Sequence, residues 1–401
     1  MFIPAFLAGM AAVASASAIP VLNVTNINTD GFSNPTISVS AGGHALCVAG
    51  LVHVEATTTQ NVELHLPAFT SRAEATEIVV DLNSANSSLV AQVTGPPKHI
   101  SQTFSISSQI CYPRNSDFRN TTTIQFLTHG IAFSKSYWEF SAPANSYIDT
   151  AALAGRVTFS YDRLGVGGSV HPDPVQIVQG PLEIAIAHSL ITLLRNGTFL
   201  SHPFTHVIGV GHSYGSAITT TVAETYPSDF DAVVVTGFSL NISGAPQFAS
   251  SLNLIPAAQS QIGSFSDLPL GYIVPSSAYG IQYSFFRFPN FSQRILSKAF
   301  ATVETTTWGE QFTMDTVGSP APAFEGPVFV VNGEHDLFFC DGNCLYPHDV
   351  ALATLQTAFP HADPSTSSSF ILSGSGHGLN LASNAEEAFS QIQDFVAKVR
   401  P

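Results

Sequence analysis

Over 401 residues, 13 Lys plus Arg stand against 28 Asp plus Glu, and the resulting net charge of −15 repels a phosphate backbone and excludes nucleic acid as a partner. Apolar residues make up 45% of the chain and charged residues only 10%, so burial can build the core, and four cysteines are too few for a disulfide scaffold. Past the amino terminus no segment offers about 20 unbroken apolar residues, so no transmembrane anchor is expected.

Residues 1–18, MFIPAFLAGMAAVASASA, are apolar and uncharged and end in Ala16-Ser17-Ala18, the small-x-small pattern that signal peptidase cuts. They predict a signal peptide, a mature chain from near Ile19, and a secreted, extracellular protein. N-x-Ser/Thr sequons at Asn23, Asn86, Asn120, Asn196, Asn241 and Asn290 suit such a glycoprotein. From 19 to 115 the chain reads as strands and turns. Gly50-Leu51-Val52-His53-Val54-Glu55 and Ser101-Gln102-Thr103-Phe104-Ser105-Ile106 alternate or enrich β-branched residues, which predicts an antiparallel edge. Cys47 and Cys111 both lie here, and Cys340 and Cys344 share one short loop. In an oxidising compartment the expected disulfides are therefore Cys47–Cys111 and Cys340–Cys344.

Beyond residue 120 short apolar runs alternate with helical stretches, the signature of a parallel sheet buried on both faces. The runs are Ile124 to Leu127, Val157 to Tyr161, His206 to Val210, Ala232 to Val235, Val328 to Val331 and Phe370 to Leu372. Leu182, Ala185, Ile186, Ser189, Leu190 and Leu193 form one stripe of a sheet-packed helix, and Phe389, Ile392, Phe395 and Val396 mark a last helix from Ala385 to Val399. Between 239 and 323 the pattern gives way to a segment rich in Phe, Tyr, Pro and Ser. It reads as an insertion, either extra core or a cap whose aromatic surface lines a substrate pocket.

Gly211-His212-Ser213-Tyr214-Gly215 follows one apolar run and precedes a helical stretch. A strand turning sharply into a helix exposes the serine hydroxyl, and glycines on both sides keep side chains out of the turn. A dinucleotide loop is excluded, since the third glycine of G-x-G-x-x-G would fall on Tyr214. A nucleophilic serine needs a base and a carboxylate to orient it. Val328-Phe329-Val330-Val331-Asn332-Gly333-Glu334-His335-Asp336 is a strand emptying into an acidic turn; Asp336 is the acid expected, with Glu334 and Asp341 as competitors. His377, in Ser373-Gly374-Ser375-Gly376-His377-Gly378 just past a strand, is the base expected, with His361 and His348 as alternatives. The oxyanion formed on attack calls for two N–H donors. Tyr214 supplies one, and Ile131, or less favourably Gly130, in the turn after Ile124-Gln125-Phe126-Leu127-Thr128-His129-Gly130-Ile131 supplies the other. His129 is read as a structural turn histidine.

The His-Gly turn, Tyr161-Asp162-Arg163-Leu164-Gly165-Val166-Gly167-Gly168-Ser169, the serine elbow, the Gly-Glu-His-Asp turn and the Gly-His-Gly loop together resemble the α/β-hydrolase superfamily, in its order, over residues 120–400. The resemblance implies one α/β-hydrolase domain over 19–401: an eight-stranded, mostly parallel sheet flanked by helices, with a cap inserted after strand six. It makes Asp162 structural. The activity expected is hydrolysis of a small-molecule or lipid-like carboxylic ester or lactone through an acyl-enzyme on Ser213. A cofactor-free C–C bond or peptide hydrolase with the same triad is the alternative. An inactive binding protein is disfavoured, because Ser, Asp and His are all present. No cofactor or metal is expected, since the histidines are dispersed; the oligomeric state is left open.

Overall fold

The computed structural model describes residues 27–67 and 69–399, so the expected signal peptide and the Asn23 sequon lie outside the described residues. The main strands are β1 (Ser33–Val39), β2 (Ala45–Leu64), β3 (Thr94–Pro113), β4 (Thr123–Thr128), β5 (Val157–Tyr161), β6 (His206–His212), β7 (Ala232–Thr236), β8 (Val328–Gly333) and β9 (Ser368–Leu372). They form one sheet in the order β1-β2-β3-β5-β4-β6-β7-β8-β9. The pairs β1–β2, β2–β3 and β3–β5 are antiparallel, and all later pairs are parallel. One strand exceeds the eight expected. It is β1, whose Pro35 and few apolar side chains gave no periodic signal and are tolerated at a sheet edge.

The parallel strands are apolar throughout because successive side chains enter different layers. Val233, Val235, Val328 and Val330 pack into one core, whereas Ala232, Val234, Phe329 and Val331 pack into the other. On the first face lie the helices Gly180–Arg195 and Tyr214–Thr225; on the second lies Ala385–Lys398, carrying Phe389, Ile392, Phe395 and Val396. The first and the last of these helices cover the spans read from their apolar stripes, and the second is the helical stretch expected after the elbow. Among the described residues no helix is long and apolar enough to cross a membrane.

Two excursions position the site. Between β7 and β8 run the helices Ala245–Leu252, Ala278–Phe285, Gln293–Ala301 and Trp308–Phe312 with a small antiparallel sheet of Ile255–Pro256, Tyr272–Val274 and Thr306–Thr307. This is the segment read as an insertion. The second was not anticipated. Because Ser108 of β3 pairs with Tyr161 at the carboxyl end of β5, residues 94–107 run on past the carboxyl ends of the parallel strands. β2 accompanies them, pairing Leu64 with Thr94. Segment 65–93, with helices Arg72–Asn83 and Leu89–Val93, therefore lies at the tip of this ribbon, on the side where each parallel strand ends. Disulfides join Cys47 to Cys111 across β2–β3 and Cys340 to Cys344 in the loop after β8, the two pairings expected.

Candidate active site

β6 ends at His212 and a helix begins at Tyr214, so the direction of the chain reverses on Ser213 alone. Ser213 takes φ 55° and ψ −121°, a conformation that costs an L-residue energy. The residues two positions away on either side, Gly211 and Gly215, must be glycine. A Cβ on Gly211 would lie 2.5 Å from the Ser216 Cα, and one on Gly215 would lie 2.1 Å from the Thr128 carbonyl oxygen. The Ser213 N–H donates to the Thr236 carbonyl at 2.9 Å, which ties the elbow to β7.

The Ser213 Oγ lies 2.7 Å from His377 Nε2, and His377 Nδ1 lies 2.7 Å from Asp336 Oδ2. His377 and Asp336 are completely buried. Oδ1 of Asp336 accepts from the Phe339 N–H at 3.1 Å, so the carboxylate that faces the imidazole is held from both sides. The rings of Phe248, Phe285, Phe338 and Phe339 surround His377 at centroid distances of 5.4, 5.5, 6.3 and 5.8 Å. They shield the imidazole from water, so its two hydrogen bonds fix its orientation.

The alternatives are placed elsewhere. Glu334 accepts from the Gly374 N–H and the Ser373 hydroxyl, both at 2.8 Å, and Asp341 accepts from the Ser243 hydroxyl. His361 bonds the Pro322 carbonyl, and His348 is exposed.

The His129-Gly130-Ile131 turn sits against the elbow, since a Cβ on Gly130 would come 3.0 Å from the Ser213 Cβ. Ile131 and Tyr214 line the same cavity as Ser213, and among the described residues neither N–H donates to a protein acceptor. The turn is braced from behind. His129 Nε2 accepts from the Arg163 N–H at 3.0 Å, so its Nδ1 carries the proton donated to the Gly130 carbonyl at 2.8 Å. Burial, with the Arg163 charge adding to it, lowers His129 to about 3 and keeps the ring neutral. Asp162 accepts from the N–H groups of Lys135 and Gly168 and from Lys135 Nζ, anchoring the same turn.

One group of residues escaped the sequence. Arg163 Nη1 donates to Glu183 at 2.6 Å and to Glu310, and its guanidinium lies 4.7 Å from the Tyr214 ring centre. The Tyr214 hydroxyl donates to Glu183 at 2.9 Å. All four are buried, so this cluster joins the β5 loop, the helix Gly180–Arg195, the cap and the residue after Ser213. The available signal was a carboxylate set inside an apolar stretch: Glu183 within a buried helix and Glu310 between Trp308 and Phe312.

The cavity over Ser213 measures about 600 Å³. Phe238, Leu240, Ile242, Ala245 and Phe248 of the cap, and Leu82, Asn83 and Val90 of segment 65–93, contribute to its walls. Cap and segment touch. The Gln259 side-chain amide donates to the Thr70 carbonyl at 2.7 Å, and Arg72 donates to the Gln259 carbonyl.

Residues 126–392 match the model of the alpha/beta hydrolase family, more than half of the chain. No curated protein matches the sequence. Among solved structures, a thermophilic esterase from Thermogutta terrifontis is 13% identical with a TM-score of 0.52, over 75% of this chain and 96% of its own. A putative non-heme bromoperoxidase from Mycobacterium tuberculosis is 16% identical with a TM-score of 0.51, over 74% and 97%. The enol-lactonase from Burkholderia xenovorans is 15% identical with a TM-score of 0.50, over 74% and 97%. At such identities these likenesses speak for the fold alone, and the family rests on the match over 126–392: the chain belongs to the alpha/beta hydrolase family.

Proposed function

We propose that the protein is a serine hydrolase that cleaves a carboxylic ester or lactone through an acyl-enzyme on Ser213. The observation that carries this reading is the unbroken pair of 2.7 Å contacts from Ser213 Oγ through His377 to Asp336. His377 Nε2 takes the hydroxyl proton as Oγ attacks the carbonyl carbon, and Asp336 stabilises the imidazolium. The tetrahedral oxyanion accepts from the N–H groups of Tyr214 and Ile131. On collapse His377 returns the proton to the leaving alkoxide; it then activates water, which releases the acid and restores the serine. A lactone follows the same path, with both products on one molecule.

A fluorophosphonate probe tests the reading, because it reacts only with an activated serine. Labelling of the wild-type protein and its loss in Ser213→Ala is the expected result; labelling that persists in Ser213→Ala removes Ser213 as nucleophile. A panel of p-nitrophenyl esters, lactones and aminoacyl amides settles the bond, and turnover of amides alone would leave the ester reading without support. The same proposal puts the protein outside the cell. The apolar segment 1–18, the two disulfides and the exposed sequons at Asn86, Asn120, Asn196 and Asn241 support that placement. Asn290 fits it less well, being half-buried with its side-chain amide donating to Asn384 at 2.6 Å.

A further inference from the structure

The cavity over Ser213 is walled by two parts of the chain distant in sequence, and its chemistry is one-sided. Leu82 and Val90 enter from segment 65–93, facing Leu240, Ile242 and Phe248 of the cap. Its lining includes no lysine, arginine or histidine, and its one charge is the exposed carboxylate of Asp315, which makes no hydrogen bond or ion pair among the described residues. The polar lining that remains, Asn83, Ser239 and Gln311, is neutral. A substrate carboxylate drawn into this space would exchange water for apolar walls and find no cation. Asp315, and the net charge of −15 behind it, would repel it further.

Resting on the serine-hydrolase reading, we propose that this site takes an uncharged ester whose apolar limb is gripped between segment 65–93 and the cap, with Leu82 and Val90 setting the limb's length and Asp315 excluding anionic substrates. Segment 65–93 is then half of the substrate-binding roof. It is carried there by the overshoot of the β2–β3 ribbon and held to the cap through Thr70, Arg72 and Gln259. An apolar limb gains roughly 0.8 kcal/mol for each methylene it buries, about fourfold in kcat/KM per carbon until the limb outgrows the walls.

The test compares p-nitrophenyl octanoate with mono-p-nitrophenyl octanedioate, equal in length but ending in a carboxylate, with p-nitrophenyl acetate as the short reference. For the wild-type protein, kcat/KM should be at least about a hundredfold higher for octanoate than for the octanedioate ester, since leaving a buried charge unpaired costs several kcal/mol. Asp315→Lys should raise kcat/KM for the octanedioate ester by roughly tenfold relative to octanoate, a change of about 1.4 kcal/mol. Leu82→Trp and Val90→Trp should each lower the octanoate-to-acetate ratio by about tenfold or more, and Leu82→Ala should move the optimum toward longer chains. Equal turnover of the two long esters, an unmoved selectivity in Asp315→Lys, or an unmoved ratio in both tryptophan variants overturns the proposal. Fluorophosphonate labelling run beside the assays keeps the failures apart: unlabelled wild-type Ser213 sinks the hydrolase reading itself, whereas normal labelling without discrimination sinks only this one. It also shows that each variant is folded, because labelling requires the assembled elbow.

Discussion

Ser213 holds a backbone conformation that only glycine adopts without strain, and the surroundings impose it. The Thr236 carbonyl fixes its N–H at 2.9 Å, and the next residue already belongs to a helix. Strain of this kind costs about 1–3 kcal/mol and is concentrated at functional sites. Ser213→Gly should therefore unfold at higher temperature, with a gain of about 1–2 kcal/mol, while losing all probe labelling; a less stable variant would mean the elbow carries no strain. Asp336 makes a second point at this scale. Replacement by Asn leaves one oxygen where Asp336 uses two: if that oxygen keeps accepting from the Phe339 N–H, the amide turns its NH2 donor toward His377 Nδ1. The imidazole is then poorly oriented and its cation unsupported, and kcat should fall by about 10³–10⁴ with KM little changed. Glu334→Gln, whose carboxylate faces the Ser373–Gly374 turn, should stay within about threefold. If Glu334→Gln were the crippled variant, the acid would have been misassigned.

The elements that carry Ser213, Asp336 and His377 were legible because each obeys a local rule. A strand buried on both faces reads as an apolar run, and the turn at its carboxyl end reads through its glycines, as in Gly211 to Gly215 or Gly376-His377-Gly378. The buried cluster behind them obeys no such rule, since Arg163, Glu183 and Glu310 come together only through tertiary packing. Burial, and the second carboxylate of Glu310, raise Glu183 to about 8 despite Arg163 and the Tyr214 hydroxyl. Burial and the neighbouring Asp162 raise Glu304 to about 7 in the same way, despite the Gly167 N–H and Lys135. Carboxyls with raised values bind protons more tightly in the folded than in the unfolded chain. Their contribution to stability is thus fully present below the ordinary glutamate value of 4.5 and is lost as pH rises toward about 7 for Glu304 and about 8 for Glu183. Glu183 and Glu304 should pull the wild-type unfolding midpoint down from pH 5 to pH 8, against the rise that His129, held neutral in the fold, contributes up to about pH 6.5. Glu183→Gln is uncharged throughout and keeps an acceptor for the Tyr214 hydroxyl, so its decline should be shallower. Parallel slopes would show that Glu183 is already ionised in the fold.

At the scale of the whole molecule, the length of the β2–β3 ribbon decides what closes the site. The sequence showed an antiparallel edge there, but alternation gives a strand's faces and not its register, so nothing placed segment 65–93 over Ser213. Register also separates the two disulfides. Cys47 and Cys111 face each other across β2–β3 and close a loop of 64 residues that includes the ribbon tip, whereas Cys340 and Cys344 are four apart, just after Asp336. Constraining the unfolded chain is worth about 4 kcal/mol for the long loop and about 2 kcal/mol for the short one. In the folded state the ladder holds the ribbon with or without its disulfide, but the chain after Asp336, the proposed acid, is only the single-turn helix Leu337–Cys340 and a short loop. Cys47→Ala/Cys111→Ala should therefore lower stability by roughly 4 kcal/mol with kcat within about threefold of wild type. Cys340→Ala/Cys344→Ala should cost less stability and more turnover, because Asp336 loses its restraint. Denaturant unfolding and ester kinetics on the two double variants check this, and a large loss of turnover in the first with none in the second would reverse the roles assigned to the ribbon and the acid's loop.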